Sequence, residues 1–224
     1  EVDKEVEQNT LQALEKFKSL GATVTEVKLN WKKEEIESAC YSHYASFFAK
    51  TVADLLPEHK EKLSSYALMN AQSAEVHMKA LLDNKKIYYP QLGANLGLSP
   101  NECAIVAGEM YSELSPILDQ YEAFISPTNN LPAVKADVDL EKDPVIINGK
   151  EQVGRDMCWT MCYPFNMLGR LPVLSVPSGF ASNGIPTGIQ IISRSYADEV
   201  VFQAGFNYEK LDPWLQNSQN RPKI

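Results

Sequence analysis

The sequence predicts an α/β protein, an α/β/α layered fold built on a mixed central sheet. Three observations predict it. Segments with apolar residues at helical spacing alternate with short β-branched or wholly apolar runs. Pro and Gly bound those runs, as they do where strands end. Two of the runs, 172–176 and 185–193, carry no charge at all, the pattern of strands covered on both faces.

The elements follow in order. Val2, Val6, Leu14, Phe17 and Leu20 recur at helical spacing, and Gly21 follows as a helix-stopping residue. Thr23–Leu29 is rich in β-branched residues and reads as a strand. From Lys32 to about Asp83 the pattern is helical. Its stripe of Ile36, Cys40, Tyr44, Phe47, Phe48, Val52 and Leu55 reads as core, and Pro57 as its break. Residues 88–98 read as a loop. Ser99-Pro100-Asn101-Glu102 is a capping box that starts a helix, with Pro116 expected to kink or divide it. Ala123–Ser126 reads as a short strand stopped by Pro127. Residues 128–155 form a polar connection, with a turn at Asn148-Gly149. A short helix is expected over 156–163, a closing helix over 198–210, and a loose tail over the last dozen residues. Residues 123–126, 172–177 and 185–193 are the expected central strands.

Charge and composition exclude several functions. The chain has 21 Lys+Arg against 29 Asp+Glu, a net charge of −8, whereas nucleic-acid binding needs clustered cationic surface. The uncharged run Leu171–Ser193 is long enough to span a bilayer, but six Pro and Gly residues break any helix there. No basic, apolar and small-residue leader stands ahead of Glu1, so the expectation is a cytoplasmic protein. Cys40, Cys103, Cys158 and Cys162 read as free thiols, since Cys-x3-Cys without nearby His is a poor zinc site. His43, His59 and His77 show no ligand spacing. No cofactor and no metal are expected.

No self-contained active site is visible. Neither Gly-x-Gly-x-x-Gly nor a phosphate loop occurs. Ser178 has Gly179 next to it rather than two along, so there is no nucleophile elbow. No Lys lies three residues after a Ser.

One stretch carries more information. Pro164-Phe165-Asn166-Met167-Leu168-Gly169-Arg170-Leu171-Pro172 leads into a strand ending Val176-Pro177-Ser178-Gly179. Gly184-Ile185-Pro186-Thr187-Gly188-Ile189-Gln190 follows, and then Asp198 heads the last helix. Further upstream stand Leu20-Gly21-Ala22-Thr23-Val24 and Ala123-Phe124-Ile125-Ser126-Pro127-Thr128. Together, from the first helix to the last and over nearly the whole chain, they resemble the C-terminal portion of the amidase signature family. The resemblance implies an amidohydrolase that cleaves a carboxylic amide C–N bond. Its Ser–cis-Ser–Lys triad, Gly/Ser-rich loop and oxyanion hole lie in an N-terminal half with no counterpart here. Residues 1–224 are therefore expected to be the C-terminal part of such a domain, with no catalytic residue of their own and no activity alone.

Three residues are the candidates for substrate binding. Thr128 and Trp159 sit at expected strand or helix ends, where α/β clefts open. Asn166, expected beside a buried strand, should be hydrogen-bonded. In the family's tRNA amidotransferases, the A-type chain carries an Asp five residues before the Pro of Pro-x-Asn, where it grips the substrate amine. Trp159 occupies that position here, which favours a general amidase with an apolar or aromatic acyl group. The expected partners are a small-molecule amide and either the chain's own N-terminal half or a second copy in a homo-oligomer. Half a sheet leaves strand edges and apolar helix faces uncovered. A non-catalytic binding or assembly module, or part of the A-type chain of a glutamine-dependent tRNA amidotransferase, is the alternative.

Overall fold

Helix α1 (Lys4–Ser19) begins where the Asp3 side chain accepts the N–H of Glu5 at 2.8 Å. It ends at Leu20, with Gly21 at φ +93° as its C′ residue. The structure, a computed structural model, describes residues 1–139, 142–154, 158–214 and 216–217. Within them the chain forms two units, residues 1–29, 114–133 and 160–224, and residues 30–113 and 134–159.

The first unit is built on a three-stranded sheet of β3 (Phe124–Pro127), β6 (Val173–Phe180) and β7 (Pro186–Ile192), in the order β3-β7-β6. Strand β7 is central as expected. Strands β3 and β6, also expected to be central, are the outer strands of this sheet, and β6 is not covered on both faces, since Val173 is exposed. The β7 register pairs Ile125 with Ile191 on one side and Leu174 with Ile191 on the other. Both pairings are antiparallel, as is every described strand pairing, so the parallel component of a mixed sheet is not among the described residues. A tight turn explains the β6–β7 pairing: these strands are joined by only five residues, too few for a crossover.

Side chains alternate across this sheet. On one face Ile189, Ile191, Ile125, Leu174 and Val176 meet Ala13 and Phe17 of α1 and Val201 and Tyr208 of α7 (Asp198–Leu211). Phe17 and Tyr208 stack with centroids 5.1 Å apart, and the Tyr208 hydroxyl donates to Pro177 O at 3.1 Å. On the other face, Phe124 meets Phe165 of the short helix α6 (Tyr163–Met167) at 5.9 Å. Helices thus lie on both faces, and the α/β/α layering stands.

The second unit carries α2 (Lys33–Tyr44), a π turn (Ala45–Ala49), α3 (Lys50–His59) and α4 (Ser65–Leu82). It also contains the hairpin β1 (Ile87–Tyr89)–β2 (Ala94–Leu96) and the hairpin β4 (Val145–Ile147)–β5 (Lys150–Gln152). Helix α5 (Pro100–Gln120) starts in this unit and ends in the first.

Several expectations are corrected. Residues 23–29 form no strand: β-branched residues favour an extended chain, but a strand needs a partner ladder, and no described strand pairs with this segment, although Val24 packs on the core. The aromatic stripe is not core throughout. Ile36 is buried, but Phe47 and Phe48 are 57% and 69% exposed, while Ala45 and Ala49 are buried. The buried face of this region runs through Ser38, Ser42, Ala45 and Ala49, at ordinary helical spacing, so Phe47 and Phe48 lie off it and reach the surface. Pro57 lies inside α3, which ends two residues later, and Pro116 lies inside an undivided α5. Residues 87–96 and 145–152 are hairpins rather than plain loop. Asn148 and Gly149, at φ +51° and +76°, make the turn of the second. Pro127 does not stop β3 but pairs with Ile189. The short helix runs over Tyr163–Met167. Residues 155–157, which include its expected start, and most of the expected tail lie outside the described residues.

Candidate functional site

The C-terminal end of β3 is built by its neighbour β7. Beyond the Pro127–Ile189 pair, the Thr128 N–H donates to Gly188 O at 2.9 Å, and the Thr128 hydroxyl donates to the same carbonyl at 3.1 Å. Gly188 is required here. A Cβ at that position would lie 2.9 Å from Thr128 Oγ1 and 3.4 Å from Val176 O. Thr128 O in turn accepts the Met161 N–H at 2.9 Å and the Cys162 thiol at 3.3 Å, and Asn129 bridges Thr160.

Gln190 locks this junction. It is 1% exposed, and its Nε2 donates to Ser126 Oγ, Pro127 O and Met161 O at 3.0, 3.0 and 2.9 Å. A buried amide is stable only when bonded, so a lone polar residue between Ile189 and Ile191 marks a joint. That polar interruption of an apolar strand is visible in the sequence, although Gln190 is not among the candidate residues the sequence nominates.

Cys162 lies between Thr128 and α6. Burial raises its thiol pKa, opposed by its hydrogen bond with Thr160, so the thiol stays protonated at neutral pH. Cys162 O accepts the N–H groups of Phe165 and Asn166 at 3.1 and 3.0 Å.

Thr128 and Asn166 therefore belong to one backbone arrangement, joined through Cys162. Asn166 is exposed, contrary to the expectation of a bonded amide beside a buried strand. It projects from the five-residue α6. Trp159, partly buried, is the last residue of the second unit. The arrangement offers rigid backbone and hydroxyl groups, and the Thr128 proton is already committed to a carbonyl. Among the described residues, no group of three or more His, Cys, Asp or Glu could hold a metal ion. No described helix is long and apolar enough to cross a membrane.

The model of the amidase family matches residues 1–202. The chain belongs to the amidase family. A family relative, the acylamidase of Rhodococcus erythropolis, is 27% identical over 215 residues, covering 95% of this chain and 40% of that protein. The A-type chain of the Brevibacillus brevis glutamyl-tRNA(Gln) amidotransferase is 26% identical over 223 residues, covering 93% of this chain and 42% of that protein. The amidase-family chain thus spans about two-fifths of the length of these relatives. In fold it is similar to a bacterial aryl acylamidase of the amidase signature family. The TM-score is 0.76 at 21% identity, covering 99% of this chain and 44% of that one. A second amidase structure is matched with a TM-score of 0.70, covering 93% of this chain and 42% of that one.

Proposed function

We propose that this chain is the C-terminal part of an amidase-signature amidohydrolase. It would supply half of the sheet and one wall of the acyl pocket to a Ser–cis-Ser–Lys triad carried on an N-terminal half. The observation that carries the reading is the family match across residues 1–202, in a chain two-fifths as long as its relatives.

In this reading the Lys draws the proton of the nucleophilic Ser through the middle Ser. The Ser oxygen attacks the amide carbonyl, and backbone N–H groups hold the oxyanion. The amine leaves with a proton, and water releases the acid. Thr128, Trp159 and Asn166 would contact the acyl group rather than the reacting atoms. The indole of Trp159 suits an apolar or aromatic acyl group, and no charge there pairs an ammonium. This speaks for an acylamidase over a tRNA-linked amidotransferase. The absence of a disulfide among Cys40, Cys103, Cys158 and Cys162 suits a cytoplasmic setting. The exposed aromatics Phe47 and Phe48, and separately Phe202 and Phe206, suit association with the N-terminal half or with a second copy.

The test is hydrolysis of aryl anilides and of glutamine by two samples, this chain alone and the chain joined to its upstream coding sequence. The chain alone should turn over neither. The longer protein should cleave anilides, accept a serine-directed fluorophosphonate, and lose aryl preference in KM on Trp159→Ala. Anilide turnover by this chain alone would sink the reading. Glutaminase activity without anilidase would favour the amidotransferase. No labelling of the longer protein would favour a non-catalytic module.

A further inference from the structure

His77 of α4 is fully buried and bonded at both ring nitrogens. Nδ1 accepts the Gly97 N–H at 3.0 Å, just past the end of β2. Nε2 lies 2.9 Å from Ser46 Oγ in the π turn. The Ser46 hydroxyl donates to Ser42 O at 2.9 Å, so its oxygen is the acceptor and Nε2 carries the ring proton. The Ser42 hydroxyl oxygen accepts the Leu98 N–H at 3.2 Å. One neutral imidazole thus ties together α4, the π turn and the segment leading into α5. All of this lies in the second unit and is independent of the amidase reading.

The charge acting on the ring is Lys86, which donates to Gly97 O at 2.9 Å and pairs with Glu102 at 2.7 Å. From the other elements packed on α4, Ser46 of the π turn, Ala53 of α3, Tyr89 of β1, and Ala94 and Leu96 of β2 make the described contacts, while Lys50 and Asp54 of α3 pair with each other. Burial first, and Lys86 second, hold the His77 pKa below its ordinary value. Glu102 is held down to about 2, so it stays charged from neutral pH to pH 5 and the pair with Lys86 does not change.

We propose that His77 is an acid-sensitive latch, which holds the end of β2 against α4 while its ring is neutral and releases it when Nδ1 takes a proton. The incoming proton comes from solvent and occupies the lone pair that now accepts the Gly97 N–H. Two N–H groups then face each other beside the Lys86 ammonium, and the Gly97 bond breaks. The folded ring binds a proton less readily than the unfolded one. The latch is therefore fully closed above pH 6.5 and loosens as pH falls below it.

Nitrogen-resolved NMR of the full chain from pH 7.5 to 5 tests this. At pH 7.5 the ring shifts should show the Nε2–H tautomer. Between pH 7 and 5 the Gly97 amide should lose exchange protection, after correction for intrinsic rates, while Ile189 in β7 does not change. His77→Gln, whose amide can accept from Gly97 and donate to Ser46, should keep Gly97 protection flat. The ring tautomer and Gly97 exchange of the unsubstituted protein decide the matter even if that variant does not fold. Unchanged Gly97 protection across the range, or an equal loss in folded His77→Gln, overturns the latch.

Discussion

Asn9 Nδ2 donates to Thr187 Oγ1 at 3.0 Å and to Phe180 O at 3.1 Å, a side-chain tie from the middle of α1 to the β6–β7 hairpin. Thr187 Oγ1 is itself 2.8 Å from Ser178 Oγ, so three buried polar side chains share one network. Asn9→Ala removes the donor and leaves the Phe180 carbonyl unserved. It should cost about 1–3 kcal/mol. Asn9→Asp should cost at least as much, because a carboxylate cannot donate. Urea unfolding followed by circular dichroism checks both; an unchanged midpoint in either variant would show that the network is idle.

Gly205 sets how closely α7 sits on β6. A Cβ there would lie 2.3 Å from Leu174 Cδ2. Two effects compete in Gly205→Ala: helix propensity gains about 1 kcal/mol, and overpacking costs about 1–3 kcal/mol. The clash should win. In a Leu174→Ala background the clash is gone, so the same Gly205→Ala change should raise the melting temperature. Destabilisation of equal size in both backgrounds would refute the assignment to Leu174.

Gln190→Glu exchanges a donor for a carboxyl among Ser126 Oγ, Pro127 O and Met161 O. Ionised, it meets two carbonyls in a dry site and should cost about 3 kcal/mol or more. The folded state prefers the protonated acid, so its pKa rises above the unfolded value. The variant's deficit should be smallest below about pH 4 and grow as pH rises. Stability profiles of the two proteins that run parallel from about pH 4 to 8 would count against this account.

The Glu102 carboxylate accepts the Ser99 N–H at 2.7 Å and the Ser99 hydroxyl at 2.8 Å, and it pairs with Lys86. The Lys86 bond first, and then the Ser99 bonds, hold its pKa down to about 2 from 4.5. A depressed carboxylate stabilises the fold fully above the unfolded value, and the contribution is lost as pH falls from 4.5 towards 2. The pair is well exposed and solvent-screened, so Glu102→Gln should cost only about 1 kcal/mol at pH 7. That difference should vanish near pH 2. A difference that persists at pH 2, read from matched thermal melts, would contradict it.

Much of this protein is legible in the sequence wherever the signal is local. The capping box at Ser99–Glu102 forms with both reciprocal bonds, because its groups lie within one turn of each other. Strand β7 is central because Pro186–Ile192 is too apolar to leave exposed. The ordered motifs from Leu20 to Asp198 carry the family assignment. Two of the three candidate residues, Thr128 and Asn166, lie in one hydrogen-bonded arrangement, although Asn166 faces water.

What local pattern does not contain is the choice of partner. Thr23–Leu29 has strand propensity yet meets no strand, while the hairpins at 87–96 and 145–152 form because each run finds the other across a turn. At Ala45–Ala49 the small residues take the buried face and Phe47 and Phe48 face outward, a choice of face that the apolar pattern does not announce. His77 looks ordinary among three histidines; only tertiary contact with Gly97 and Ser46, 20 and 31 residues away, gives each ring nitrogen a fixed role. Helix starts, turns and apolar strands are determined by neighbouring residues, so the sequence alone decides them. Hydrogen-bond partners and helix rotation depend on residues distant in the chain, and only the folded arrangement brings those together.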